Sequence, residues 1–251
     1  MTGLTALIKK ELKEQYRTHR LLIVGTIFAL FGISTPLLMK FLPEILKLSN
    51  ETMQIQVSPP TAIQSFTEFA GTFGQIGVIV AVLVGMGAVA NELRHGTAVT
   101  TLSKPISRAA FVTSKFIAMS MTCLLALAIA ALLCFFYTIG FIGEANAAAF
   151  FQSNLLLGLF LVFCLAITVF FSCLFKSSLA AGGLAIAVII SQAAMSGVPT
   201  IGDYLPGKLL GWSTGIISGV GQSYWWALAI TVALTVLVVY LGQYSLKRRE
   251  I

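Results

Sequence analysis

Charge is what this sequence has least of. Only 10% of its 251 residues are Asp, Glu, Lys or Arg, against roughly 25% in soluble domains. With 57% hydrophobic residues and a mean hydropathy of +0.93, that shortage excludes a soluble globular protein. Acidic residues are scarcer than basic ones, giving a net charge of +7. The excess does not point to nucleic acid, because Lys and Arg cluster at the ends of apolar runs, where anionic headgroups and topology account for them. The only two histidines, His19 and His95, stand apart. No paired carboxylates and no Ser-His arrangement fall inside an apolar run, which disfavours a membrane-embedded enzyme. Cys123, Cys134, Cys164 and Cys173 lack CxxC spacing and a neighbouring His, and read as buried free thiols. A long basic segment and an apolar run without a small-x-small exit speak against a cleaved signal peptide.

What is present is length of apolar run. Six runs approach the ~20 residues that a bilayer core demands, at about 21–42, 72–91, 111–140, 153–175, 179–199 and 224–244. The expectation is an all-α integral membrane protein: one transmembrane domain over residues 1–251, six spans, multi-pass in the cell (cytoplasmic) membrane. Residues 1–20 precede the spans. There Leu4, Leu7, Ile8, Leu12 and Tyr16 gather on one side at helical period, and Lys9, Lys10, Lys13, Arg17 and Arg20 on the other. That pattern fits an amphipathic helix lying on a membrane surface better than a disordered basic anchor.

Of the 16 lysines and arginines, all but Lys40, Lys47 and Lys208 map to the side that holds both termini. The positive-inside rule makes that side cytoplasmic. Within the spans the sequence shows almost no charge, so ion- or proton-coupled pumping lacks its usual residues. Ser34 and Thr35 beside Pro36, with Ser191, Gln192 and Ser196, are candidate pathway-lining residues, though hydrogen bonding between helices accounts for them as well. Gly77, Ala81 and Gly85 repeat every four residues and read as a helix-packing stripe.

The outer segment 200–223 nearly spells a phosphate-binding loop in Gly202 to Leu209. It lacks the final Ser or Thr for magnesium and a preceding strand, and Pro206 stands where backbone amides should cradle phosphate. Gly207, Gly211, Gly215 and Gly219 suit either a re-entrant helix carrying Leu209, Leu210, Trp212 and Ile216 or a Gly-rich loop.

The one long polar interruption on the cytoplasmic side is the loop 92–108. Arg94, His95 and Gly96 end a helix. Thr97 to Leu102 has room for one or two helical turns, with Ala98, Val99 and Leu102 apolar. Pro105 stops it, and Ser107 is placed to cap the next helix. The product is a short peg whose apolar side has nothing to bury against in this chain.

The pattern Glu92-x-x-x-Gly96-Thr97-x-x-x-x-Leu102-x-x-Pro105-x-Ser107-Arg108, followed by Lys115, resembles that of the permease subunit of type-2 ABC transporters, the ABC-2 permease family. Tyr204-Leu205-Pro206 through Leu210-Gly211-Trp212 is similar to that family's segment before the last span. The resemblance implies a type-2 ABC exporter permease fold and a homodimer or pseudodimer. Each copy would dock on a cytoplasmic ABC ATPase subunit, with ATP and magnesium bound by that partner and no cofactor or metal on this chain. It implies a coupling helix over residues 97–104 in which Ala98, Val99, Thr100, Leu102 and Lys104 meet the ATPase. Thr97 would cap it, Glu92 and Arg108 would make ionic contacts at its base, and the helix at 4–20 would brace it. The expected function is the transmembrane pathway of an ATP-driven exporter of a hydrophobic or amphipathic compound, a peptide among the candidates, rather than an enzyme. The rival reading is a non-transporting immunity or sensory subunit using the same peg.

Overall fold

The computed structural model of the chain describes residues 3–49, 59–97, 107–220 and 222–248. A first helix, α1 (Leu4–Arg17), precedes the long α2 (Arg20–Ser49). The second span is composite: α3 (Ala62–Thr72), a π-helical turn at Phe73–Gly77, α4 (Val78–Gly85) and α5 (Ala90–His95). Then come α6 (Arg108–Phe141), α7 (Ala147–Leu174), α8 (Ser178–Met195), a 3-10 turn at Gly202–Tyr204, α9 (Lys208–Ser218) and α10 (Trp225–Lys247). Six stretches are long and apolar enough to cross a membrane: Arg20–Ile45, Ala62–His95, Arg108–Phe141, Ala147–Leu174, Ser178–Met195 and Trp225–Lys247. The protein is a multi-pass membrane protein.

The second span begins well before residue 72, where the apolar pattern places it. Polar side chains at Gln64, Ser65, Thr67 and Glu68 dilute its first turns. A capping box starts it nonetheless: Thr61 Oγ1 accepts the Gln64 N–H at 3.3 Å, and Gln64 Oε1 accepts the Thr61 N–H at 3.0 Å. Phe66, Phe69 and Phe73 then share one face. Phe66 stacks on Phe150 of α7 at 4.0 Å between ring centres, and Phe73 meets Phe28 of α2 edge-on at 5.0 Å. Such pairs contribute about 0.5–1.5 kcal/mol beyond the area they bury.

The small-residue stripe faces α7. A Cβ at Gly77 would stand 3.1 Å from Leu161 Cδ2, and one at Gly85 3.0 Å from Thr168 Cγ2, while Ala81 is wholly buried. The tightest crossing is between α2 and α6, where a Cβ on Gly32 would lie 2.5 Å from the Ala130 carbonyl oxygen. α7 is the most buried span and packs on α10, α9, α6, α8 and α4. The four cysteines are buried, and none forms a disulfide among the described residues.

Two sequence expectations change, and one choice left open is narrowed. The face of α1 turned to the bundle is Leu7, Glu11 and Gln15; Leu4, Ile8 and Leu12 are only half-buried and Tyr16 is exposed. The spans are not nearly free of charge, since Lys115 lies within α6 and is buried. The Gly-rich segment before the last span contains an ordered helix, α9, whose Leu209, Trp212, Ser213 and Ile217 are buried and which packs on α7 and α3. Its glycines do not act alike: Gly207 abuts Gln192 and Ser196, Gly211 faces open space, and Gly219, left-handed at φ 71°, ends the helix.

Candidate functional site at the basic end of the bundle

Four helix ends converge where the basic residues gather: α1, the end of α5, the start of α6 and the end of α10. Ser107 starts α6 from extended backbone, its hydroxyl accepting the Ala110 N–H at 3.1 Å. Two turns later Lys115 is turned inward and only 2% exposed. Its Nζ donates to Glu11 Oε2 at 3.0 Å, to Glu11 Oε1 at 3.1 Å and to Glu92 Oε1 at 2.5 Å. The Phe111 ring, one turn earlier, covers the ammonium at 5.1 Å. A buried lysine without partners would be strongly destabilising, so the carboxylates of α1 and α5 are a condition of Lys115 lying where it does.

Glu11 reaches Lys115 because Leu7, Glu11 and Gln15 recur every four residues and form one stripe of α1. Gln15 extends the contact by a hydrogen bond between its Oε1 and Thr122 Oγ1 of α6. Glu92 owes its position to a break in the second span at Met86–Val89. Ser172 of α7 repairs that break: its Oγ accepts the N–H groups of Val89 and Ala90 at 3.0 Å each and donates to the Met86 carbonyl at 2.9 Å. One hydroxyl therefore restarts the helix as α5 and fixes its axis. Gly96, left-handed at φ 70°, ends α5 one turn beyond Glu92.

Arg108 serves the fourth helix. Its Nη1 donates to the carbonyls of Leu246 at 2.8 Å and Lys247 at 3.3 Å, holding the last turn of α10, where a cation also favours the helix dipole. The sequence paired Glu92 and Arg108 as joint supports of the peg. Among the contacts described, Glu92 joins α5 to α6 and, through Lys115, to α1, and Arg108 joins α6 to α10. Thr97 follows Gly96 directly. Ala98, Val99, Thr100, Leu102, Lys104 and Pro105 lie outside the described residues. Glu11, Gln15, Thr122 and Ser172 are members of this junction that sequence reasoning missed. The usable signal was Lys115 itself, since a lysine within an apolar span needs a counter-ion.

These contacts tie the N-terminal helix, both sides of the 92–108 loop and the C-terminal helix together, around a small pocket of about 90 Å³ that Glu11, Glu92 and Lys115 line. Residues 5–216 match the family described as ABC-2 family transporter protein. The chain belongs to the ABC-2 transporter family. It is also similar to an uncharacterized transmembrane protein, YxlG, of Bacillus subtilis (strain 168), with 23% identity over 257 residues covering 100% of this chain and 99% of that one. It is thus a membrane component of an ABC-2 transporter, a family whose membrane components typically work with a separate ATPase.

The candidate pathway residues of this ABC-2 chain fall in two places. Thr35 on α2 donates to the Phe31 carbonyl at 2.8 Å, and Ser34 to the same oxygen at 3.4 Å, on a helix that packs chiefly on α6. Ser191 and Ser196 belong to α8 and its end, and donate to Val188 and Ala193 carbonyls at 2.9 and 2.6 Å; α8 packs chiefly on α7 and α4. Gln192 differs, because both polar atoms of its amide are shielded from solvent and hydrogen-bonded to nothing among the described residues. Beside α8 runs an open apolar groove of about 580 Å³, lined by Gly71, Gly74, Gln75 and Ile79 across from Ile186, Ile190, Ala193 and Thr214. The π turn of the second span forms one of its walls.

At the opposite end of the bundle, the lysine of the near-miss phosphate loop is occupied. Lys208 Nζ lies 2.8 Å from Asp203 Oδ1 and 4.9 Å from the centre of the Tyr224 ring. The hydrogen bond to Asp203 holds the lysine pKa above its ordinary value.

Proposed function

We propose that this chain is the permease subunit of an ATP-driven exporter, with the basic end cytoplasmic and residues 97–104 serving as the helix that docks on a separate ATPase. The observation that carries the reading is the Glu11–Lys115–Glu92 junction. A coupling element transmits motion only if its base is stiff, and both chain segments that flank this loop are fixed to α1 through Lys115. ATP and magnesium belong to the partner. A second permease copy, identical or homologous, covers the open groove beside α8, whose Leu184, Ile186, Val188 and Ile190 are all exposed.

The groove's aliphatic lining favours a hydrophobic or amphipathic cargo such as a peptide over a highly charged one. The test is replacement of residues 97–102 by a Gly/Ser linker in the permease co-reconstituted with its ATPase in liposomes. Loss of substrate-stimulated ATP turnover with insertion intact is the expected result. Undiminished stimulation overturns the coupling role, and the absence of any transported substrate would leave the immunity or sensory reading standing instead.

A further inference from the structure

A second site lies on the lipid-facing side of the same end. Two helical stripes face one another across a cleft of about 250 Å³: Arg20, Ile23, Val24 and Ile27 along α2, and Val80, Leu83, Val84 and Asn91 along α4 and α5. Each stripe is apolar toward the bilayer interior and ends, at the basic end, in a polar side chain. Ser178, the first residue of α8, closes the third side. From Arg20 to Ile27 the helical rise gives the cleft a depth of roughly 10 Å, two-thirds of one ~15 Å leaflet of hydrocarbon. Ile23 and Leu83, both more than half exposed, form its lips and leave it open to lipid.

Arg20 is the one charged residue lining this cleft; the carboxylates of Glu11, Glu14 and Glu92 line the adjoining pocket, which Arg20 and Asn91 also border. Arg20 makes no ion pair or hydrogen bond among the described residues, and it stands at the start of a helix, where a cation opposes the dipole. An anion at that point satisfies the guanidinium and the unpaired amides of the first turn together. Asn91 is held ready by Gly87: a Cβ there would lie 2.5 Å from Asn91 Nδ2. We propose that this cleft binds an anionic phospholipid of the adjacent leaflet, with one acyl chain between the Ile23–Ile27 and Val80–Val84 stripes and the headgroup phosphate on Arg20, Asn91 and Ser178. The occupant wedges α2 from α5, one residue from Glu92.

The test equilibrates the detergent-purified protein with equal amounts of phosphatidylglycerol and phosphatidylcholine, and counts retained lipids by native mass spectrometry. Wild type keeps phosphatidylglycerol in preference. Arg20→Gln lowers its retention about tenfold, as loss of a charge-assisted contact requires, while Lys13→Gln, an exposed basic residue of α1, leaves it unchanged. Leu83→Trp fills the cleft without touching Arg20 and also expels the lipid, so the site stays testable if Arg20→Gln inserts poorly. Equal retention of the two lipids by wild type, or unchanged phosphatidylglycerol in Leu83→Trp, overturns the proposal.

Discussion

Lys115 Nζ and Glu11 Oε2 are 3.0 Å apart in space and separated by 104 positions in sequence. This contact decides what α1 is. Without it, a basic amphipathic segment is free to lie anywhere along a membrane surface; with it, α1 is docked on α6 in one register. Because Glu92 shares the same ammonium, a displacement of α5 is felt at α1. The junction therefore has the connectivity that a transmitted stroke needs, in contiguous side chains and not in proximity alone.

Lys115→Met is expected to destabilise the protein by up to about 3–5 kcal/mol, because it leaves the buried Glu11 carboxylate with only the half-exposed Lys10, 3.7 Å away, and removes the ammonium that Glu92 shares. Combining it with Glu11→Gln removes that stranded charge and restores part of the loss. Thermal unfolding of the two singles and the double in detergent checks this. Strictly additive losses would show that the two groups do not act on one another.

A pair of glycine variants separates packing from helix propensity. Gly32→Ala forces a Cβ against the Ala130 carbonyl oxygen and should cost about 1–3 kcal/mol through overpacking. Gly25→Ala on the same helix meets nothing within 4 Å and should be neutral or stabilising by up to about 1 kcal/mol. Resistance to detergent-induced unfolding ranks the two. The reverse order would mean that α2 and α6 do not cross at Gly32.

How much of this was legible depends on the type of signal. Apolar length marks the spans, since no other feature of a soluble or membrane protein imitates six such runs. The start of α3 was obscured by Gln64, Ser65, Thr67 and Glu68, although the Thr61-x-x-Gln64 spacing announces a helix start. Glu11 was lost because sorting α1 into apolar and basic faces gives an isolated acid no role until Lys115 demands one. Ser172 was not legible at all. Serine within an apolar span usually bonds its own helix, and the break it repairs at Met86–Val89 carries no proline to advertise it.

The Lys208–Asp203 pair predicts a pH dependence of definite sign. Its effect on Lys208 is to raise the folded-state pKa, so the stabilisation is fully present below the unfolded lysine value of about 10.4 and is lost as pH rises through the folded value. Trp212 lies edge-on to Tyr224 at 6.5 Å between ring centres and reports on this corner. With Trp225 and Trp226 replaced by Phe, its fluorescence should hold steady from neutral pH and change only in the strongly alkaline range. In Asp203→Asn the change should move to lower pH. An identical transition in both proteins would show that Asp203 does not control the lysine.

Ser172→Ala tests whether the break in the second span is functional. Removing one oxygen strands the Val89 and Ala90 amides and the Met86 carbonyl, at a cost of about 1–3 kcal/mol. The loss is local, because α4 stays packed on α7 through Ala81 and Gly85 while α5 loses its anchor. Hydrogen exchange should accelerate at residues 86–92 and stay slow in α7. Glu92 then no longer meets Lys115 in a fixed geometry, so substrate-stimulated ATP turnover by the reconstituted complex should fall further than its basal turnover. Unchanged protection at 86–92 would mean that the turn holds itself. Faster exchange with full stimulation would mean that α5 need not be rigid for the stroke to pass.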